Sequence, residues 1–466
     1  MATGFDSLPN LQCPHTVERT EQLDEGAVYY TRVVVIGNGP SGLALSSFLS
    51  GWRPYYNLSS AHPDRELHQK MAANPDASLI DMDLSFAEQS FADFRTAHPI
   101  SLLYDTLVRP DADMGHQHPS SLAWKHQPDK TVPHVVLGAG PAGGSWHTFH
   151  DEMTPVSLSN WLDLPAYSLA DFINNGHLPP QRLPIWLIRR YLCSYPKCTN
   201  TKSHHIPFTT VTRLQKVDDE WWEVSGSHPD GNFTFRASTV VIASGLNLPR
   251  KLGVPGECRN PRVCYSVNEL KKCMASEKEG SSLAQPVLVV GDGLSSADAV
   301  IYCLAHNIPV FHCFKRSTKE LRHSQLGRLS GSVYSDYQRV VKLMSGKASE
   351  PLYMAQPNSR VVRLDDSSHT ATVQVQDPKS EHTPSLTQLQ YSFVMVCIGR
   401  KFSLDYVAPE NQGIVSSAGM QLVRVDPVTY KSPDESGLFA LGPLVGDNFV
   451  RFLVGGALAV AREIVR

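Results

Sequence analysis

Three glycine-rich stretches have the residue types and spacing to hold a dinucleotide pyrophosphate. They are VVVIGNGPSGLALSSFLSG (Val33 to Gly51), HVVLGAGPAGGSWH (His134 to His147) and VLVVGDGLSSADAVIYCL (Val287 to Leu304). A pyrophosphate cradle needs a buried strand, a tight glycine turn and a helix whose N-terminus faces the phosphates, in that order. The first stretch has all three. Val33 to Ile36 is a β-branched strand, Gly37 and Gly39 allow the turn and close backbone approach, and Gly42 lets a helix from Leu43 pack on the strand. The third stretch is nearly as complete. Gly291 and Gly293 make the turn, Ser296 stands where the third glycine would be, and ADAVIYCLAHN reads as the helix. The middle stretch fails after Gly143, because GSWHTFHDEMTP has no helical apolar period and Pro155 follows. It reads as a second strand of the first nucleotide domain, followed by a Gly-Gly-x-Trp turn (Gly143, Gly144, Ser145, Trp146).

The strand VFHCF from Val310 ends at Lys315 and Arg316, where an NAD site would carry an acid for the ribose 2′-hydroxyl. A cationic pair there suits a 2′-phosphate and therefore NADPH. The alternative is two solvated basic residues at a strand end.

The elements that must position these turns predict an α/β fold of two Rossmann-like dinucleotide-binding domains, the second inserted into the first. The first would span residues 28–249 and 391–466, the second 250–390, after a loose tail at 1–27. The strand from His134 follows the first cradle at a far greater distance than the usual ~20 residues, so residues 52–131 read as an insertion. Pro184 to Tyr195 is a predicted helix with Trp186, Ile188, Tyr191 and Leu192 towards the core. Pro207 to Arg236 alternates as a β-meander does, and a buried strand at Phe393 brings the chain back.

Composition narrows the class. Hydrophobic residues at 41% and charged ones at 19% are ordinary for a soluble globular chain of 466 residues. A net charge of -3 argues against nucleic acid as a partner. Nine scattered cysteines imply a reducing compartment without a disulfide framework. Cys193 and Cys198 form a C-x4-C pair but lack the glycines around a redox motif. No apolar run reaches the ~20 residues of a membrane span, and no signal peptide is legible, so a cytoplasmic location is expected. No metal site is expected.

Several further segments resemble NADPH-dependent flavin monooxygenases of the two-dinucleotide type. With GNGPSG, SLAWKH (Ser121 to His126), PHVVLG, GGSWH, VPGE, GLSSADAV and GPLVGDNFVRFLVGGALAVA, the chain is identified as a member of the oxidative-stress-induced growth inhibitor family. The resemblance implies FAD in the first cradle (Gly37, Gly39, Gly42), with Gly144 and Trp146 against the flavin. It implies NADPH in the second (Gly291, Gly293, Ser296, Lys315, Arg316). STVVIASG, ending at Gly245, resembles the segment that leaves the FAD domain. Asp447 sits where related flavoproteins aim an acid at the ribityl chain, or is an ordinary helix N-terminal acid. Asn160, in SLSNWLDLP, stands where such enzymes place an active-site Asn, or is a loop Asn.

The implied reaction is oxygenation of a soft nitrogen or sulfur nucleophile, on a small molecule or a protein side chain, by O2 through a peroxyflavin. Growth restraint, late cell division, protein partners in that control and a midbody pool follow from the same resemblance. Two departures count against turnover. Gly138 replaces the Glu that ends the ribose strand, and F-x-G-x-x-x-H is degraded to CRNPRVCYS (Cys258 to Ser266). The competing readings are a flavin-dependent reductase or oxidase, and a nucleotide-binding regulator without turnover.

Overall fold

Val33, Val34 and Val35 have no exposed surface, as expected of a strand covered on both faces. They end strand β1 (Val28–Ile36). The structure is a computed structural model that describes residues 26–90, 98–173, 178–276, 285–376, 384–414 and 422–466. The predicted tail at 1–27 lies almost wholly outside the described residues. The chain divides into two compact units, one of residues 1–147, 157–247 and 402–466, the other of residues 148–156 and 248–401.

In the first unit β1 is followed by helix α1 (Pro40–Leu49), every residue of which is buried. The segment 52–131 follows and belongs to the same unit. Trp52–Tyr56 pairs antiparallel with Leu122–His126, and helix α2 (Pro99–Val108) lies between them in sequence. Strand β2 (His134–Gly138) returns parallel to β1, with Val33 opposite His134 and Ile36 opposite Leu137. After helix α3 (Ile185–Cys198) come β3 (His205–Pro207), β4 (Thr210–Lys216), β5 (Trp222–His228) and β6 (Gly231–Ile242). The sheet order is β3-β2-β1-β6-β5-β4, parallel from β3 to β6 and a meander beyond. Trp186 corrects the core assignment on α3. It is half-buried beneath the Arg190 guanidinium, 6.0 Å from its ring, while Leu187 is fully buried.

The second unit carries a parallel sheet of β7 (Val263–Cys264), β8 (Val287–Val290), β9 (Val310–Cys313), β10 (Tyr353–Gln356) and β11 (Val394–Val396), in the order β7-β11-β8-β9-β10. Helix α4 (Leu294–Ala305) joins β8 to β9. It begins at Leu294, before the predicted start at Ala297. β11 corrects the expected boundary at 391. It is hydrogen-bonded between β7 and β8, so this strand completes the second sheet and the chain leaves that unit only after Lys401. Residues 148–156 also belong to this unit and not to the expected first domain of residues 28–249.

The chain returns to the first unit through Leu438–Ala440, parallel to β6, and ends in helix α5 (Val450–Val465). α5 packs against α1 and α2. A Cβ on Gly455 would lie 2.5 Å from Ser101 Cα, so the two backbones meet closely at that crossing.

Candidate functional site

The first cradle is set by steric limits at its glycines. Gly37 has φ +120°, and a Cβ there would stand 2.3 Å from the Ala243 carbonyl oxygen at the end of β6. At Gly42 a Cβ would stand 2.0 Å from the Gly37 oxygen, so helix and turn close only on glycine. Gly39 differs. Nothing lies within 4 Å of a Cβ built on it, and the same is true of Gly140 and Gly245. α1 starts at Pro40 without a side-chain cap and without an acid in its first turn. No side chain of its own competes for the amides of that first turn, and the space at Gly39 is open, as a pyrophosphate site requires.

The middle glycine stretch folds onto this loop. Gly143 N donates to the Asn38 carbonyl at 2.9 Å. A Cβ on Gly144 would be 3.0 Å from Gly39 Cα. Trp146 is half-buried within the 3-10 turn Gly144–Thr148. The Asn38 side chain occupies the space in front of Gly138 and donates from Nδ2 to Gly140 O at 2.7 Å.

Asn160 lies in a short 3-10 turn, Ser159–Trp161. Its backbone oxygen accepts from Arg109 Nε at 2.7 Å. Its side-chain Oδ1 is buried and has no hydrogen-bond partner. An orphaned buried carbonyl oxygen costs about 1–3 kcal/mol, so this atom fits a site completed by a bound donor. Arg109 is one part of a buried ion network. Its NH1 pairs with Asp105 Oδ1 at 2.9 Å, and Arg451 at the start of α5 holds the same carboxylate from Nε at 3.0 and 3.1 Å. Arg451 also lies 4.7 Å over the Trp161 ring. Nearby, enclosure pushes the Asp163 carboxyl up to about 6, against the opposing pull of Arg109 and the bond it accepts from Leu169 N at 2.8 Å.

Asp447 is fully buried, and its Oδ2 accepts from Tyr430 OH at 2.7 Å and Ser101 Oγ at 3.4 Å. Burial, and then the charge of Asp447, hold the Tyr430 phenol far above its ordinary range, so it stays a donor. The acid expected to point at a ribityl chain thus serves an internal network. The N-terminus of α5 beside it has neither a side-chain cap nor an acid in its first turn.

The second cradle repeats the first with one change. Gly291 has φ +132° and a Cβ would meet Cys397 O at 2.2 Å, whereas Gly293 is open. Ser296 replaces glycine because its Oγ turns back to donate to Gly293 O at 2.7 Å. α4 also starts without a side-chain cap or a first-turn acid. His312 Nε2 donates to Gly291 O at 2.7 Å, and burial lowers its pKa to about 4, so it is neutral. Lys315 and Arg316 are both exposed. Arg316 is paired with Asp292 inside the glycine turn at 2.5 Å, so a 2′-phosphate would compete for it. A cleft of this unit opens beside Ser295, Asp298, Val396, Cys397 and Tyr265.

Sequence reading missed Asn38, Asp292, Arg109, Asp105 and Arg451. Asp105 and Arg109 carry a legible i,i+4 ion-pair spacing, but nothing in the sequence ties either to Arg451. Cys193 Sγ lies 3.6 Å from His147 Nε2 and 3.4 Å from Ala142 O, and Cys198 is exposed. Among the described residues no group of three His, Cys, Asp or Glu side chains could hold a metal. No described helix is long and apolar enough to cross a membrane.

Two Rossmann-type sheets, each leading into a glycine turn and an uncapped helix, define the architecture of FAD- and NAD(P)-binding flavoproteins. Solved structures of this build include the bacillithiol disulfide reductase Bdr (YpdA) of Staphylococcus aureus, with TM-score 0.59 and 11% identity over 93% of this chain and 98% of that one. Another is the ornithine N-hydroxylase KtzI of Kutzneria sp. 744, with TM-score 0.55 and 15% identity over 93% and 99%. At such identities the likeness is one of fold. No family model matches the chain. Curated relatives are closer in sequence. The chain is 35% identical over 450 residues to the oxidative stress induced growth inhibitor homolog osgn-1 of Caenorhabditis elegans, covering 93% of this chain and 94% of that protein. It is 33% identical over 463 residues to oxidative stress-induced growth inhibitor 1 of Mus musculus, covering 93% and 95%. The chain belongs to the oxidative stress-induced growth inhibitor family.

Proposed function

We propose that this chain is an NADPH-dependent flavin monooxygenase acting on a soft nitrogen or sulfur nucleophile. Its role would lie in restraining growth and in late cell division, from a cytoplasmic location with a midbody pool. Two observations carry the reading: Asn160 Oδ1 is buried without a partner, and the first dinucleotide cradle is open at Gly39.

In this reading Gly37, Gly39 and Gly42 admit the FAD pyrophosphate to the N-terminus of α1, with Gly144, Trp146 and Gly245 beside it. Gly291, Gly293 and Ser296 admit NADPH to α4, and Lys315 and Arg316 receive its 2′-phosphate. Bound together, NADPH and FAD supply a hydride and the activation of O2. The protein's own contribution is electrostatic. The Asn160 carboxamide presents a fixed dipole, and the Arg109 bond to its backbone keeps that dipole in place without reorganisation. Asp447 acts at one remove, by tying α5 to Tyr430 and Ser101.

The test compares wild type with Asn160→Ala, using NADPH, O2 and a panel of amines and thioethers. FAD content should be unchanged, while oxygenated product falls about a hundredfold, the effect of losing ~3 kcal/mol from one well-placed dipole. Wild-type protein that binds both cofactors yet converts every NADPH to H2O2, whatever the nucleophile, is an oxidase. Protein that binds nucleotides without oxidising NADPH is a regulator, the reading that Gly138 and the degraded CRNPRVCYS segment favour.

A further inference from the structure

The absent ribose acid at Gly138 has a structural cause. A Cβ on Gly138 would lie 2.0 Å from Asn38 Nδ2 and 2.6 Å from Asn38 Oδ1. No side chain can grow from position 138 while Asn38 keeps its place. That place is fixed at both ends of the residue. Nδ2 donates to Gly140 O at 2.7 Å, and the Asn38 backbone oxygen accepts from Gly143 N at 2.9 Å. Asn38 is 5% exposed, yet no hydrogen bond within the described protein engages its Oδ1. The Asn38 carboxamide therefore fills the space where the root of an acidic side chain would be, with its acceptor Oδ1 2.6 Å from that position, at the end of the strand that carries the ribose contact in this architecture.

We propose that Asn38 takes over the ribose contact of the first cradle, its Oδ1 accepting a hydroxyl of the adenosine ribose. The inference rests on the reading that the ADP half of FAD lies in that cradle. A neutral amide oxygen gives a weaker contact than a carboxylate, which accepts with charge assistance. This chain should therefore hold its dinucleotide less tightly than a flavoprotein with an acid at that strand end, and exchange it more readily.

The probes are ADP, 2′-deoxy-ADP and 3′-deoxy-ADP, each used to displace FAD from the full-length protein and followed by flavin fluorescence. One deoxy nucleotide should bind about three- to tenfold more weakly than ADP, the range for one neutral hydrogen bond. In Asn38→Ala that difference should vanish while ADP itself still binds. If Asn38→Ala does not fold, Asn38→Ser replaces it, since it keeps a small polar side chain and likewise removes the amide oxygen. Equal binding of all three nucleotides by wild type overturns the proposal, as does discrimination that survives in the variant. Either result leaves the flavin reading standing. Protein that takes up neither FAD nor ADP removes both.

Discussion

Arg109 Nε donates to the backbone oxygen of Asn160 at 2.7 Å, and so a residue from the 52–131 insertion fixes the turn that carries the candidate active-site amide. The same guanidinium shares Asp105 with Arg451. The insertion thus joins the Asn160 turn to the start of α5. Arg109→Gln should cost about 1–3 kcal/mol, the range for a buried hydrogen-bonded group losing its partner. Asp105 retains Arg451, so the larger penalty of an isolated buried charge does not arise. Urea unfolding gives the energy. Hydrogen exchange locates it, with amides of residues 158–162 expected to lose protection before those of β1. Uniform loss across the first unit would show that Arg109 acts on the fold at large.

Two glycines of one loop should behave in opposite ways. Gly37→Ala forces a Cβ onto Ala243 O at φ +120°, and should destabilise the protein by a few kcal/mol, flavin or no flavin. Gly39→Glu meets no protein atom within 4 Å at its Cβ, so the fold should survive. Its carboxylate would sit where the pyrophosphate must approach, and bound flavin should be lost. Thermal melts and flavin absorbance separate the two outcomes. Full flavin content in a folded Gly39→Glu protein would move FAD out of this cradle.

The two cradles were legible because strand, glycine turn and helix follow one another locally, and each step has its own residue signature. The His134 stretch was readable as a strand without a helix for the same reason. What stayed hidden depends on side chains meeting across long separations. Asp105 and Arg451 lie 346 positions apart, and nothing in either neighbourhood marks the other. Gly138 was visible as a departure, but its cause was not, because the atoms that fill its space belong to Asn38. The boundary at 391 was misplaced because a buried apolar strand has the same pattern in either sheet. Only its hydrogen bonds to β7 and β8 assign it.

If Lys315 and Arg316 receive a 2′-phosphate as proposed, the cofactor preference should be adjustable in both directions. Replacing Lys315 and Arg316 together by Ser should remove a ten- to hundredfold preference for NADPH over NADH, worth about 1.5–3 kcal/mol. Asp292→Ala should do the reverse, since it frees the guanidinium now held at 2.5 Å. Dissociation constants for both nucleotides decide this. An unchanged ratio in the double variant would assign the 2′-phosphate to other basic residues, Arg322 or Arg328 among them.

Acid sensitivity should come from a pair of buried histidines at the starts of β2 and β3. His134 Nε2 lies 2.9 Å from Ser46 Oγ, and His205 Nε2 lies 3.1 Å from it. Burial lowers both pKa values to about 3. Both groups are neutral when folded and titrate near 6.5 when unfolded, so each stabilises the fold above pH 6.5 and loses that contribution as pH falls towards 3. Asp163 has the opposite sign. Its folded value of about 6 exceeds the unfolded one, so its share rises as pH falls from 6 to 4. Two losses against one gain leave stability falling on balance as pH drops from 6 to 4, and the buried His312 adds to the fall. Urea midpoints across that window measure it, and His205→Gln should flatten the slope.

The central claim is that this chain is a flavoprotein turned over by NADPH and O2. The most direct measurement purifies the full-length protein, records its visible spectrum, then adds NADPH anaerobically and admits O2. The protein should be yellow, with close to one FAD per chain. NADPH should bleach it faster than NADH does, and O2 should restore the colour with NADPH consumed at each cycle. A colourless protein that cannot be loaded with FAD would rule out the proposed function, and so would a yellow one that NADPH leaves unbleached.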